Sequence, residues 1–188
     1  MNYLEYKCLK RSVFQNKGYK LVPIRLEDRY KIMEWRNDQI YHLRQERLLT
    51  KNDQDKYFKK VILKEFNEQN PSQILFSLLK KNRCIAYGGI VHINWKDKNG
   101  EISFVINTEL EEKNFNLLWS VYLAFIDVVA FKELELKKIF VYAFDLRPHL
   151  YPILEKNGFN FEANLKKHVK IGEYFKDIII YSKFNENE

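Results

Sequence analysis

The sequence predicts an α+β domain in which helices cover a central mixed sheet. Short runs of β-branched and aromatic residues alternate with longer stretches of helical periodicity, and polar turn residues separate them. The 188 residues, of which 46% are hydrophobic and 15% aromatic, are enough for one packed core. We therefore expect a single domain over residues 1–188, in which residues 1–18 form an N-terminal extension or an extra strand.

The first half of the chain is predicted to hold two strands, two helices and three more strands. In order, these are residues 7–14, 19–24, 27–37, 50–67, 74–80, 84–93 and 101–108. The strands are apolar runs bounded by turn residues, and the first helix has apolar residues at near-helical spacing. The second helix starts at Thr50, where Asp53 completes a capping-box-like pattern. Pro71 then breaks the chain.

The second half of the chain alternates helices and strands. The apolar periodicity of residues 117–131 is the clearest helical signal in the sequence. A strand at residues 138–144, a helix at residues 148–156 and a last strand at residues 176–182 follow it. This order of elements leads to an α+β domain with a mixed central sheet.

The formal net charge of +7 fits a lysine-rich solvated surface or a pocket for an anionic ligand such as CoA or a sugar nucleotide. No basic cluster interleaved with aromatics points to nucleic acid. Two cysteines, Cys8 and Cys84, provide no disulfide framework. No signal peptide is visible, and the longest apolar runs are shorter than the roughly 20 residues that span a bilayer. We expect a cytoplasmic protein with no nucleic-acid or membrane partner.

Three short motifs resemble those of the GCN5-related N-acetyltransferases, abbreviated GNAT. Residues 34–37, Glu-Trp-Arg-Asn, look like an element of the ribosomal-protein and sugar-nucleotide branches. Residues 86–90, Ala-Tyr-Gly-Gly-Ile, look like the strand before the CoA-binding strand. Gly158-Phe159, followed by Gly-Glu-Tyr-Phe-Lys-Asp at residues 172–177, is similar to the ending of the branch that acylates amino-sugar nucleotides, including the pseudaminic-acid pathway enzyme.

The resemblance covers residues 19–184 and implies a fold, a donor and a reaction. The implied fold has three layers: helices flank a largely antiparallel sheet that splays between two parallel strands. The donor would be acetyl-CoA or another short acyl-CoA, with no metal. The reaction would acylate the amine of a nucleotide-linked amino sugar, in the synthesis of lipopolysaccharide or another surface glycan. The alternatives are a protein N-terminus as acceptor and a GNAT-shaped domain that binds without catalysing, and a homodimer is allowed.

The resemblance also implies where the donor binds. Its pantetheine arm would pair like an extra strand with backbone groups of Phe104, Val105 and Ile106, between the strands at residues 101–108 and 138–144. The pyrophosphate would lie at the N-terminus of the next helix.

The phosphate-binding loop of the family falls on residues 114–119. Leu117 and Trp119 occupy two positions that are small in the family, where glycine allows the backbone to approach the phosphates. Either the phosphates are held by side chains such as Lys113, Asn114 and Asn116, or the donor does not bind in the usual way.

The general acid of the family, a Tyr, falls on Leu154, which has no proton to give. Tyr151 or His149 would replace it, unless Tyr151 only packs and His149 only caps the helix. An Asn ligand of the family falls on Arg147, which we expect to contact the donor.

The resemblance implies Glu101 as the general base, because some members of the family use a Glu at this strand position to take the amine proton. A carboxylate partly buried under a sheet would have a raised pKa, which suits that role. His92 is the alternative base, with an imidazole suited to work near pH 7. Asn94 would share its strand face by the two-residue period. The structural alternatives are a solvent-facing Glu101 at a strand edge and a hydrogen-bonded structural His92.

The acceptor is predicted to bind where the first helix ends. Trp35, Arg36 and Asn37 lie there, and Arg44 and Arg47 follow in the next segment. A stacking aromatic and an arginine suit the base and diphosphate of a sugar nucleotide. Trp35 would otherwise be a core aromatic at the end of the helix.

Overall fold

A computed structural model describes residues 3–185 and shows an eight-stranded mixed sheet. The strands are β1 (Phe14–Asn16), β2 (Tyr19–Pro23), β3 (Ile74–Lys80), β4 (Arg83–Asn94), β5 (Asn99–Ile106), β6 (Lys138–Phe144), β7 (Asn160–Ile171) and β8 (Tyr174–Phe184). Their order in the sheet is β1-β2-β3-β4-β5-β6-β8-β7. Neighbouring strands are antiparallel except β5 and β6, which are parallel. The predicted α+β fold with a mixed sheet is confirmed.

The helices are α1 (Arg29–Asp38), α2 (Lys51–Tyr57), α3 (Leu63–Glu65), α4 (Thr108–Asp127) and α5 (Tyr151–Lys156). A π turn, Phe58–Ile62, joins α2 to α3, so that one continuous helix follows the predicted start. The capping box at that start is confirmed. The Thr50 hydroxyl accepts a hydrogen bond from the Asp53 backbone N–H at 3.2 Å, and the Asp53 carboxylate accepts one from the Thr50 N–H at 2.9 Å.

The sheet separates two packed layers. Paired residues of neighbouring strands share a face, so Phe104 and its partner Gly88 face one side while Tyr87 faces the other. The Phe104 ring stacks on Tyr122 of α4 at 3.8 Å between centroids, whereas the Tyr87 hydroxyl accepts a hydrogen bond from Arg36 of α1. Helix α4 therefore covers one face and α1 covers the other.

Helix α4 begins at Thr108 rather than at the predicted residue 117. Asn107 caps it, since its side chain accepts a hydrogen bond from the Glu109 backbone N–H at 3.1 Å. Glu109 and Glu111 lie in the first turn, where the helix dipole favours acidic residues. Together with its terminal π turn, the helix is long and apolar enough to cross a membrane by length and composition, but half of the apolar window is buried inside the protein, as in an ordinary core helix.

Two other predictions about the strands were wrong. Residues 7–13 form no strand. The buried Tyr6, directly before them, stacks on Phe66 at 4.2 Å between centroids. The sequence reading also missed β7. This strand has mostly exposed residues and pairs with β8 in a long hairpin that turns at Gly172, whose φ is +59°.

Strands β5 and β6 pair only at their starts. The register runs from Asn99–Lys138 through Gly100–Ile139 to Glu101–Phe140, and beyond it the strands diverge. The gap therefore lies between the C-terminal parts of the two strands, as the resemblance implied.

Candidate active site

A cavity of about 550 Å³ lies where β5 and β6 diverge. We call it the main cavity. It draws residues from α1, the segment between α1 and α2, β4, β5, β6 and the segment before α5. The side chains that bear on its chemistry are Arg36, His42, Arg44, Gln73, His92, Glu101, Ser103, Phe104, Trp119, Tyr142 and Arg147. Glu101 is the one acidic residue among those that line it, all of which lie within residues 3–185.

Glu101 is buried in the wall of the main cavity, with a side chain only 7% exposed. Burial raises the pKa of its carboxyl group, while Arg44 and His92 oppose this increase. Arg44 forms an ion pair with the Oε1 atom, and the His92 Nε2 atom lies 4.0 Å from Oε2. Glu101 is therefore enclosed rather than solvent-facing, and its pKa is shifted in the direction that a general base requires.

His92 lies at an irregularity of β4, where the register with β5 shifts between Val91 and Asn94. Its φ of +50° is unusual for a residue other than glycine. The regular alternation of side chains fails here, so His92 faces the cavity while Asn94 binds Asp97 in the following turn. Asn94 lies outside the main cavity.

The donor side of the main cavity is the open edge of β5. The Asn107 backbone N–H donates to the Ile85 carbonyl of β4. Backbone groups of successive strand residues alternate in direction, so the N–H and C=O of Val105 also face β4, whereas those of Phe104 and Ile106 face the gap. The Ile106 carbonyl already accepts a hydrogen bond from the Gln39 side chain at 2.7 Å. Of the three residues predicted to pair with the pantetheine arm, Val105 is thus turned away.

Arg147 lines the cavity beyond the open edge of β5. Its Nη1 atom lies 3.3 Å from Oε1 of Glu111, and burial lowers the pKa of its guanidinium group. His42, at 9% exposure, is a nearby buried residue that sequence reasoning did not select. Burial and then the charge of Arg147 lower the pKa of His42 to about 3, so its imidazole is neutral at physiological pH.

The three residues predicted to hold the phosphates lie inside helix α4. Lys113 and Asn116 are exposed, and Asn114 donates back to the Leu110 carbonyl at 3.3 Å. None of them lines the main cavity. The helix N-terminus itself is capped and acidic, so it provides no ready anion site.

The residues at the end of α1 divide between three roles. Trp35 is buried in the core at 6% exposure. Arg36 reaches the main cavity, where it donates to the Tyr87 hydroxyl at 2.8 Å and to Gln45 at 3.0 Å. Asn37 holds the following segment by accepting from the Leu49 N–H and donating to the Leu49 carbonyl. Only Arg36 of this motif can contact a ligand in the cavity.

Three more predicted residues, Arg47, Tyr151 and His149, lie outside the main cavity. Arg47 is paired with Asp53 at 2.8 Å. The Tyr151 hydroxyl donates to Asp145 at 2.7 Å and its ring stacks on Tyr181. Burial, followed by the hydrogen bond to Asp145, raises the pKa of Tyr151. His149 packs edge-on against Phe115 at 4.5 Å between centroids.

A model of the acetyltransferase (GNAT) domain matches residues 21–180, which is most of the chain. The chain belongs to the GNAT acetyltransferases. No curated protein sequence matches it. As a member of this family, the protein is an N-acyltransferase that takes acetyl-CoA as its donor.

Solved structures similar to this GNAT acetyltransferase share its fold. One is the spermidine N-acetyltransferase from Vibrio cholerae in complex with CoA and spermine, with 18% identity, 90% of this chain and 96% of that chain covered, and a TM-score of 0.76. Another is a chimera of the Vibrio cholerae enzyme and hSSAT, with 16% identity, coverage of 89% and 96%, and a TM-score of 0.74. At such identities the likeness shows the fold alone.

The residues of the main cavity fit the donor and its chemistry. The backbone of Phe104 is free to pair with a pantetheine arm, and Glu101 is placed to remove a proton from an amine. Leu154 is buried in the core and Tyr151 lies outside the main cavity, so neither lines the space where a thiolate would develop. The guanidinium of Arg147, which is also paired with Glu111, lines that cavity with Arg36 and Arg44, and such a charge suits a developing thiolate. Within residues 3–185, no group of three or more His, Cys, Asp or Glu side chains is arranged to hold a metal ion.

Proposed function

We propose that this GNAT acetyltransferase acetylates the amine of a nucleotide-linked amino sugar. The observation that carries the proposal is Arg36. Its guanidinium is partly buried at the cavity, and its hydrogen-bond partners among residues 3–185 are the neutral groups of Tyr87 and Gln45. Partial burial of a cation with no carboxylate partner costs free energy, which an anionic ligand would offset. The diphosphate of a sugar nucleotide is such an anion, and arginine binds it well.

The charges around the main cavity favour an anionic acceptor over a polycation. Three arginines, Arg36, Arg44 and Arg147, line the cavity together with His42 and His92. The single lining carboxylate, Glu101, is already paired with Arg44. A polyamine would bring further positive charge into this space with no unpaired acid to receive it.

A polyamine is nevertheless the second candidate acceptor. Structures similar to this chain include spermidine N-acetyltransferases, and Glu101 could accept an ammonium group if Arg44 moved away. A protein N-terminus, which the resemblance also allowed as acceptor, is not favoured by any particular residue that lines the main cavity.

The proposed reaction needs three groups of the chain. Glu101 takes the proton of the amine, whose nitrogen then attacks the thioester carbonyl carbon of acetyl-CoA. The new C–N bond forms as the C–S bond breaks, and the thiolate leaves next to the Arg147 guanidinium. Arg36 holds the acceptor so that its amine lies near the thioester.

The test is release of free CoA from acetyl-CoA in the presence of single acceptors. UDP-linked and other nucleotide-linked amino sugars, the free amino sugars, spermidine, spermine and short peptides would be compared at equal concentration. We expect the nucleotide-linked sugars to give the highest kcat/KM. Faster reaction with spermidine or peptides would replace the proposed acceptor class, and no turnover with any amino-sugar nucleotide would reject it.

Arg36→Gln provides the matched test of the anchor. Loss of a charge-assisted contact worth roughly 1.5–3 kcal/mol should raise the KM for the sugar nucleotide by about 10- to 100-fold. The KM for acetyl-CoA and the rate with the free amino sugar should change little. Arg83→Gln, at an exposed position of β4 that does not line the main cavity, serves as the control variant.

A further inference from the structure

A second cavity of about 260 Å³ adjoins the main cavity on the face of the sheet that α1 covers. We call it the side chamber. It lies between α1, α2 and the strands β3 to β5. Four residues, Arg36, Gln73, Val91 and Ser103, line both cavities and mark their boundary. The side chamber therefore lies directly beside the main cavity, across these four residues.

The lining of the side chamber is apolar and aromatic. Its inner wall includes the buried residues Ile32, Phe58 and Leu75 and the rings of Tyr57 and Tyr87. Burial raises the pKa of Tyr57 to about 12, so this ring stays uncharged. Asp53, at the rim, is neutralised by Arg47. The chamber thus suits an uncharged, flat, apolar group rather than a charged one.

Polar groups at the boundary can fix the orientation of such a ring. The Tyr57 hydroxyl donates to the side-chain oxygen of Gln73 at 3.0 Å. The side-chain N–H groups of Gln73 have no partner among residues 3–185, and they remain available to a ligand. An apolar pocket with a few placed hydrogen-bonding groups is the usual form of a small-molecule site.

We propose that the side chamber binds the nucleobase of the acceptor. This inference rests on the proposed function and extends it. Arg36 lines both cavities, Glu101 lines only the main cavity, and Tyr57 lines only the side chamber. The side chamber, Arg36 and Glu101 therefore follow one another in the same order as the base, the diphosphate and the amino sugar of a sugar nucleotide. The chamber is also smaller than the roughly 300–1,000 Å³ of pockets that hold whole drug-sized ligands, so it takes one part of the acceptor.

Calorimetric titration of the full chain with UDP, ADP and inorganic pyrophosphate separates the base from the diphosphate. We expect at least one nucleotide to bind about tenfold or more tightly than pyrophosphate. Leu49→Trp, at the rim of the chamber, should remove this advantage while leaving the affinity for pyrophosphate unchanged. Leu48→Trp is the matched control, because the neighbouring Leu48 is 62% exposed and lines neither cavity.

Tyr57→Ala is the alternative variant if Leu49→Trp fails to fold. It too should bind nucleotides no more tightly than pyrophosphate. Equal binding of nucleotides and pyrophosphate would overturn the chamber proposal and leave the proposed function standing. No binding of any of the three probes would overturn both. Leu49→Trp could instead lower the rate with butyryl-CoA relative to acetyl-CoA and leave the affinity for nucleotides unchanged. That result would mean that the chamber binds the acyl group of the donor, and the proposal would be wrong.

Discussion

Arg44 forms an ion pair with Glu101 across the acceptor side of the main cavity. Its guanidinium also lies over the ring of Tyr142, 5.0 Å from the centroid. Glu101 belongs to β5 and Tyr142 to β6, so one arginine from the segment between α1 and α2 contacts both diverging strands. Its charge lowers the pKa of a carboxylate that burial raises.

Replacing this arginine should change the pH at which the enzyme becomes active. Glu101 must be deprotonated to accept a proton, so activity rises as pH increases through its pKa. Arg44→Gln removes a charge that lowers this pKa. We expect the acidic limb of the kcat/KM profile to shift to higher pH, measured by CoA release between pH 5 and 9.

The control for this shift is Arg47→Gln. Arg47 lies three residues further along the same segment and pairs with Asp53 instead of Glu101. Its profile should coincide with that of the natural sequence. An unshifted profile for Arg44→Gln would show that the ion pair only supports the structure, or that Glu101 is not the base.

Removing the carboxylate itself should slow the chemical step. Glu101→Gln keeps the size of the side chain but cannot accept the proton, and general-base catalysis contributes roughly 10²- to 10⁴-fold. We expect kcat/KM to fall by about 100-fold or more, with unchanged affinity for acetyl-CoA in calorimetry. Glu112→Gln, at an exposed position of α4, is the matched control. Retained activity in Glu101→Gln would transfer the role of base to His92.

His42 should make the protein less stable in acid. Its pKa is lowered to about 3 in the folded protein, whereas an unfolded histidine titrates near 6.5. The stability from its neutral form is complete above about pH 6.5 and is lost as pH falls toward 3. At about 1.4 kcal/mol per pKa unit, protonation linked to His42 should lower the free energy of unfolding by about 2–3 kcal/mol between pH 6.5 and pH 4.5.

Urea unfolding at the two pH values measures this loss. His42→Gln should show a smaller decrease in unfolding free energy between pH 6.5 and 4.5 than the natural sequence. His168→Gln, at an exposed position of β7, should behave like the natural sequence. Identical decreases in all three proteins would mean that His42 is protonated in the fold at little cost.

Gly88 is required by the close approach of β5 and α4. A Cβ atom there would lie 2.1 Å from the Ser103 carbonyl oxygen and 2.8 Å from the Tyr122 hydroxyl, which donates to that same oxygen. Because backbone atoms cannot move aside cheaply, Gly88→Ala should lower the unfolding free energy by about 3 kcal/mol or more.

Gly172→Ala is the comparison for that loss. Gly172 has open space around it and a φ of +59°, so alanine there should cost only about 1–2 kcal/mol of left-handed strain. Both variants can be compared in urea. Similar losses for the two glycines would contradict the packing argument for Gly88.

Strand β6 was predicted at its observed bounds, because an apolar run between polar turn residues is a strong local signal. Strand β7 could not be predicted in this way. It does carry a two-residue alternation of apolar and polar residues, but most of its residues are exposed, lysines interrupt the pattern, and no apolar run marks it as a core strand. Its structure depends on pairing with β8. The start of α4 was likewise missed, because its first turns are mostly polar and carry little apolar periodicity.

Part of the candidate site could be predicted because certain residue types suit few roles. Glu101 was selected as a carboxylate on a strand, and the structure encloses it in the main cavity. Trp35, Arg36 and Asn37 were selected together, although neighbouring residues on a helix point about 100° apart. That rotation places Trp35 in the core, Arg36 at the cavity and Asn37 against the segment that follows α1. No local pattern identified His42, because its role depends on tertiary contacts.

The short pairing of β5 with β6 divides the sheet into two parts that are joined only along this pairing, which we call the seam. Five strands lie on one side of the seam and three on the other, and the register between them covers only Asn99–Glu101 and Lys138–Phe140. A donor that forms backbone hydrogen bonds where β5 and β6 diverge would complete the sheet there reversibly, like an added strand. Its binding should therefore raise the melting temperature by mass action and slow amide exchange along both edges of the seam.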